Sequence, residues 1–202
     1  FSGSVDKTVR QWDVSSPEPR ERGPVLKQTP IDVHALALTP DGRLLAVASR
    51  ELFLLDLSGS TPVDRGVVHG AHNPRALIFT PDGKTLITGG SDGVVRLWTV
   101  ADGKAMARTP LKGHTQVVHG VALGPGGKTL ASASADRSLR LWDLESKPPR
   151  ERSPLRDSSG ELLRVAFTPD GTTLAGAGAD GKVRLWSLAG DHFREKSPLR
   201  GH

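Results

Sequence analysis

Short apolar or alternating runs succeed one another along the whole chain, each closed by Gly, Pro or Asp, and none has the length of a globular helix face. One stretch shows the pattern in full. Residues 117–123 form an apolar run of strand length, and Pro125 with the glycines around it presets a tight turn. Residues 129–134 make a second strand of small side chains, and Asp136 opens the next turn. Residues 139–144 alternate branched apolar groups with Arg140 and Trp142, which predicts a third strand. Residues 149–156 are charged and bounded by prolines, which suits the outermost strand of a sheet, because proline cannot donate to a ladder and charge discourages edge pairing.

This text recurs. Trp98, Trp142 and Trp186 stand at a stride of 44 residues, and Trp12 lies 86 residues before Trp98 with Leu55 at the midpoint. The strands around them read Val9-Arg10-Gln11-Trp12, Val95-Arg96-Leu97-Trp98, Leu139-Arg140-Leu141-Trp142 and Val183-Arg184-Leu185-Trp186. A second landmark keeps the same register: Thr39-Pro40-Asp41-Gly42 returns as Thr80-Pro81-Asp82-Gly83, Gly124-Pro125-Gly126-Gly127 and Thr168-Pro169-Asp170-Gly171. Four antiparallel strands repeated every ~44 residues describe the blades of an all-β propeller. The expected complete blades span about 30–68, 72–111, 115–156 and 159–199, with residues 1–28 supplying most of a fifth, all within one domain.

Composition adds little to this picture. The 202 residues include 23 Gly and 15 Pro, which argues for many turns and against a helical bundle. No apolar run reaches the ~18 residues of a membrane-spanning helix. The absence of Cys removes disulfides, thiolate zinc sites and cysteine nucleophiles. A net charge of +5 is modest and scattered, so a solvated surface is a better reading of it than a nucleic-acid face.

On its recurring strands and turns the chain resembles WD40-repeat proteins, the bacterial members in particular, over essentially its whole length. The resemblance implies radially arranged four-stranded blades, first strands around a central channel, and a buried tetrad in which a Trp indole donates to a Ser or Thr, that hydroxyl to a His, and the His to an Asp. His114, Ser132, Asp136 and Trp142 form a full set at the family's spacing. Thr88, Asp92 and Trp98 form a second, with His72 two residues out of place. Asp180 and Trp186 remain in the last unit, where Gly176 replaces the hydroxyl and Ser158 the His, and Ser2, Asp6 and Trp12 remain in the first. The second unit has Leu55 for Trp and Ser49 for Asp, so packing alone is expected to hold that blade and to leave it the least regular. By this alignment Phe1 falls inside a second strand and Gly201-His202 on a loop that introduces a blade, the expected pattern for a piece of a longer, incomplete ring.

Other motifs carry less. Gly176-Ala177-Gly178-Ala179-Asp180-Gly181 has the letters of a dinucleotide fingerprint but leads into a strand rather than a helix. His114, Ser132 and Asp136 match a Ser-His-Asp set in composition, yet the tetrad places them inside a blade. The seven His have no ligand spacing with Asp or Glu, so neither metal nor cofactor is expected. The resemblance points instead to the rim of the channel, where first strands begin: Asp32 and His34, Asn73 and Arg75, Val117 and His119, Glu161 and Leu163, with Ser91 from an adjoining turn. The expected function is a non-catalytic scaffold or docking domain for a protein or peptide partner, as in bacterial signalling proteins such as serine/threonine kinases. A peptide carboxylate or phosphate would pair with Arg75 and the imidazoles near it. The alternatives are a metal-dependent propeller enzyme, which would need acids on first strands that here read Ala35-Leu36-Ala37-Leu38 and its equivalents, and, more weakly, a nucleic-acid-associated propeller.

Overall fold

The computed structural model describes residues 1–23, 25–156, 160–188 and 194–199, without the side chains of residues 153–156 and 194–198. The described chain is all-β apart from one short 3-10 turn, Pro125–Gly127. Four antiparallel four-stranded sheets follow one another in chain order. The second blade runs Ala35–Leu38, Leu44–Ala48, Leu52–Asp56 and Val63–Val68, and the third Pro74–Phe79, Thr85–Gly90, Val95–Ala101 and Lys104–Ala107. The fourth is Val118–Leu123, Thr129–Ser134, Ser138–Asp143 and Arg150–Arg156, and the fifth Leu162–Phe167, Thr173–Gly178, Val183–Ser187 and Arg194–Leu199. The first, partial blade is split into a three-stranded sheet (Ser2–Gly3, Thr8–Arg10, Lys27–Gln28) and a pair (Trp12–Asp13, Arg20–Glu21). The sheets do not close into a ring.

The turns explain the regular stride. In the second blade Thr39 Oγ1 donates to Asp41 Oδ1 (2.6 Å), and the same oxygen accepts the Arg43 N–H, so the side chain holds the turn that the proline starts. Thr80 with Asp82 and Thr168 with Asp170 repeat the device. The fourth blade has glycine at both places and forms the 3-10 turn instead, with Gly126 and Gly127 both at positive φ. A Cβ on Gly127 would lie 2.7 Å from Pro81 Cδ, and one on Gly171 2.9 Å from Pro125 Cδ. These two turn glycines therefore abut the proline of the preceding blade, which a larger residue would push away.

The core lies between blades. Trp98 packs with Leu44, Ala46, Leu52 and Leu54 of the second blade, Trp142 with Ile87, Val95 and Leu97 of the third, and Trp186 with Ala131, Ala133, Leu139 and Leu141 of the fourth. The second blade corrects one expectation. Far from being the least regular, it pairs its first two strands in unbroken register from Ala35↔Ala48 to Leu38↔Leu45. Leu55 faces Leu45 across the sheet and joins Val47, Phe53, Val9 and Val33 in a wholly aliphatic and aromatic cluster. Branched apolar side chains fill the place of the indole without leaving a polar group to satisfy. The irregular blade is the partial one, with strands of two or three residues.

Candidate functional site

The tetrad of the fourth blade is complete. Trp142 Nε1–H donates to Ser132 Oγ (2.9 Å), and Ser132 Oγ lies 2.7 Å from His114 Nε2. The ionised Asp136 can only accept, which fixes the tautomer: Nδ1 carries the imidazole proton and donates to Asp136 Oδ2 at 2.9 Å, and Nε2 of the neutral ring accepts from the Ser132 hydroxyl. Asp136 also accepts from the Ser138 hydroxyl (2.6 Å) and the Thr115 N–H (3.0 Å). Burial pushes the Asp136 carboxyl up, but the bonds from Ser138, Thr115 and His114 outweigh it and hold the pKa down to about 2. Burial lowers the His114 pKa, with Asp136 opposing, so the imidazole is neutral. Ser132 is fully buried and its hydroxyl is committed on both sides, an arrangement that satisfies buried polar groups and offers a substrate no nucleophile.

The other blades keep parts of this set. Trp98 Nε1 donates to Thr88 Oγ1 (3.1 Å) and Trp12 Nε1 to Ser2 Oγ (2.8 Å). His72 does not join Thr88, Asp92 and Trp98. The place of His114 falls on Gly70 (φ +88°), and His72, itself at φ +51°, is exposed. Asp92 takes Arg96 instead, in a two-pronged pair at 3.0 and 2.6 Å. Asp180 likewise takes Arg184 at 3.2 and 2.7 Å. Ser158 lies outside the described residues. Gly176 is more than a lost hydroxyl: a Cβ there would sit 2.9 Å from Trp186 Cζ3, because the ring occupies the space.

These arginines stand two residues before each Trp, a recurrence visible in the sequence whose role was missed. In the first and fourth blades the outer strand places a Glu opposite the Trp and the Arg reaches it: Arg10 to Glu21 opposite Trp12, and Arg140 to Glu151 opposite Trp142, each through Nη1 to both carboxylate oxygens at 2.8–2.9 Å. Asp6 and Asp136 are then held by the hydroxyl two residues on, Thr8 or Ser138. Opposite Trp98 stands Ala107, which offers no carboxylate, so Arg96 turns to Asp92.

At the rim, three blades carry a β-bulge where the first strand begins, and the residues set out of register are Arg75, His119 and Leu163. A bulge re-aims a side chain at an element's end. Arg75 Nη1 approaches His34 Nδ1 of the neighbouring blade at 3.3 Å, and its Nε lies 3.3 Å from Ser91 Oγ. Ser91 is anchored in turn by donating through both N–H and hydroxyl to the Asn73 carbonyl (3.1 and 2.9 Å). Since Arg75 can only donate, His34 Nδ1 accepts and Nε2 carries the proton. Burial lowers the His34 pKa, aided by the Arg75 charge and opposed by Asp32 and Asn73. Burial also lowers that of His119, with Glu161 opposing and Arg164 and Arg75 reinforcing.

His34, Asn73, Arg75 and Ser91 thus form one cluster, with Asp32 and His119 within its electrostatic reach and Glu161 acting on His119. Val117 supplies a carbonyl to the Ala135 N–H (2.9 Å), and Leu163 one to Arg164 (2.8 Å). Arg164, overlooked among first-strand residues, also caps the His119 carbonyl at 3.1 Å. Beside the cluster a cleft of about 550 Å³ opens between the second and third blades, lined by Arg50, Glu51, His69, His72, Asn73 and Asp92 among others. No helix among the described residues is long and apolar enough to cross a membrane.

Comparison with known proteins agrees with this architecture. The profile of the family described as "WD domain, G-beta repeat" matches residues 65–99, 106–143 and 152–187. Protein groucho of Drosophila melanogaster is 29% identical over 106 residues, which are 52% of this chain and 14% of that protein. The chain therefore spans only a small part of that relative's length. With three matched repeats, indoles seated between successive four-stranded sheets and one full tetrad, the chain belongs to the WD40-repeat family.

Proposed function

We propose that this chain is a non-catalytic docking module whose channel rim holds a protein or peptide segment through an anionic group, a carboxylate or phosphate, placed on Arg75. WD40 repeats and the similarity to a WD40 protein support an interaction scaffold in general. The observation that carries the finer reading is the bulge at Arg75, which sets a guanidinium at the rim between His34 and Ser91. Its remaining N–H groups lie in the guanidinium plane and suit the oxygens of a carboxylate or phosphate. The catalytic reading loses ground because the Ser-His-Asp constellation of the fourth blade is buried and internally satisfied. A wider setting in a signalling protein such as a serine/threonine kinase rests on the repeat resemblance alone.

The test is selection from a displayed peptide library, followed by anisotropy titration of the selected peptides. Enrichment in acidic or phosphorylated residues is expected, with affinity falling at least about tenfold in Arg75→Glu, as for loss of a charge-assisted pair. Selected peptides without anionic groups, or full affinity in a folded Arg75→Glu, would overturn the reading. Nucleic acid bound in preference to peptide, with a steep salt dependence, would replace it.

A further inference from the structure

Arg75 belongs to the third blade, which lies between two complete neighbours, and its setting there turns on one proton. Its Nη1 is 3.3 Å from His34 Nδ1 of the second blade and its Nε 3.3 Å from Ser91 Oγ, while Nη2 has no partner among the described residues. A guanidinium has no lone pair to offer, so the contact with His34 exists only while Nδ1 accepts, that is, while the ring is neutral. A protonated His34 carries N–H at both nitrogens, and Nδ1–H would face Arg75 with no acceptor among the described residues. His34 is half-buried, and a donor left unmade there is destabilising. The atoms around it are already short of partners: His34 Nε2 and Asn73 Oδ1 are both buried and make no hydrogen bond to the described residues.

We propose that this rim takes up an anion and a proton together: an oxyanion seated on Arg75 also accepts from His34 Nδ1–H, and so binds more tightly as His34 becomes protonated. The coupling rests on Arg75 being the seat of the anion, as in the docking reading. Without an anion, the imidazolium and the guanidinium are like charges 3.3 Å apart; an oxyanion between them converts that repulsion into two charge-assisted bonds. Burial and the Arg75 charge lower the His34 pKa, against Asp32 and Asn73, and a bound anion offsets the Arg75 share. Arg50 and Glu51 on the turn of its own blade, and Asp6 and Lys7 on the turn of the partial blade, are not among the groups that act on it. His119, the bulge residue of the fourth blade, feels the Arg75 charge from the other side, so its protonation works in the same direction. By linkage, the factor by which the anion tightens proton binding at His34 is the factor by which the proton tightens anion binding.

Nuclear magnetic resonance of the imidazole Cε1–H groups tests it, with sulfate as the probe because it stays a dianion from about pH 8 to about pH 5.5. Ionic strength is held constant with chloride, circular dichroism checks the fold at both ends, and the His34 signal is identified by its loss in His34→Gln. Saturating sulfate should move the His34 titration midpoint up, and sulfate should bind at least about fivefold more tightly at the lower pH. In His34→Gln that ratio should fall below about twofold, whatever the affinity itself. Sulfate binding that is lost in Arg75→Glu but equal at both pH values, with an unmoved His34 midpoint, would overturn the coupling and leave the docking reading standing. A pH ratio that His34→Gln keeps in full would do the same. Sulfate that binds at neither pH, or binds undiminished in Arg75→Glu, would also overturn the coupling, and the peptide selection then judges the docking reading separately.

Discussion

The second and fourth blades fill the same place by opposite chemistry. In the fourth, an indole, a hydroxyl, an imidazole and a carboxylate satisfy one another at 2.7–2.9 Å. In the second, Leu55 faces Leu45 with no polar group to satisfy, and its inner strands pair without the bulge that the other three complete blades carry. The comparison teaches that the tetrad is one solution to covering a blade and not a condition for order. Its polar atoms are costly when orphaned, whereas an aliphatic filling depends only on volume.

The difference can be broken from either side. Leu55→Ala should cost about 2–5 kcal/mol by opening a cavity, measured by urea unfolding, with a loss that does not change with pH. Ser132→Ala should cost about 2–4 kcal/mol although it removes a single oxygen, because it orphans the buried Trp142 N–H and His114 Nε2. Replacing His114, Ser132 and Trp142 together with apolar residues should cost less than the sum of the single changes.

Acid should separate the blades without any mutation. His114 and Asp136 both have folded pKa values below their ordinary ones, so their stabilising contributions are complete above the unfolded values and disappear as pH falls through the folded ones. The His114 share begins to go below about 6.5, and the Asp136 share between about 4 and about 2. Amide exchange protection over Thr129–Ser134 should therefore fall between pH 7 and pH 4, while that over Leu44–Ala48 holds.

Restoring the consensus should fail where the tertiary structure has adapted. Gly176→Ser should destabilise by about 1–3 kcal/mol, since its Cβ would meet Trp186, where a reading by motif expects a gain. The smallest effect is expected at Arg96→Lys, about 1 kcal/mol or less by thermal melt, as a two-pronged pair with Asp92 becomes a point contact.

Much of this fold is legible along the chain. The stride of the indoles, the Pro-Asp-Gly turns and the alternation in each strand place every blade, and the turns close through bonds between residues two apart, which local sequence encodes. Partners chosen by register are not legible in this way. Arg10 and Arg140 meet a Glu of the outer strand whereas Arg96 and Arg184 meet an Asp of the preceding turn, a choice that the residues beside each arginine do not encode, and so the roles of these four went unread. His72 misled because the place of His114 falls two residues earlier, on Gly70, which has no side chain to join the set. The second blade misled because its missing motif hid a better apolar fit.

By itself the sequence determined the strands, the turns and the membership of the one full tetrad, because each depends on contacts within a single blade. The tertiary structure alone decided what lies between blades. Trp12 and Trp142 sit in similar text and share the same bond to a serine, yet among the described residues one is exposed and the other packs against the sheet of the third blade. Arg75 and His34 are 41 residues apart and meet because a bulge and a neighbouring blade bring them to 3.3 Å. Packing across an interface is a property of two surfaces, and neither one specifies the other locally.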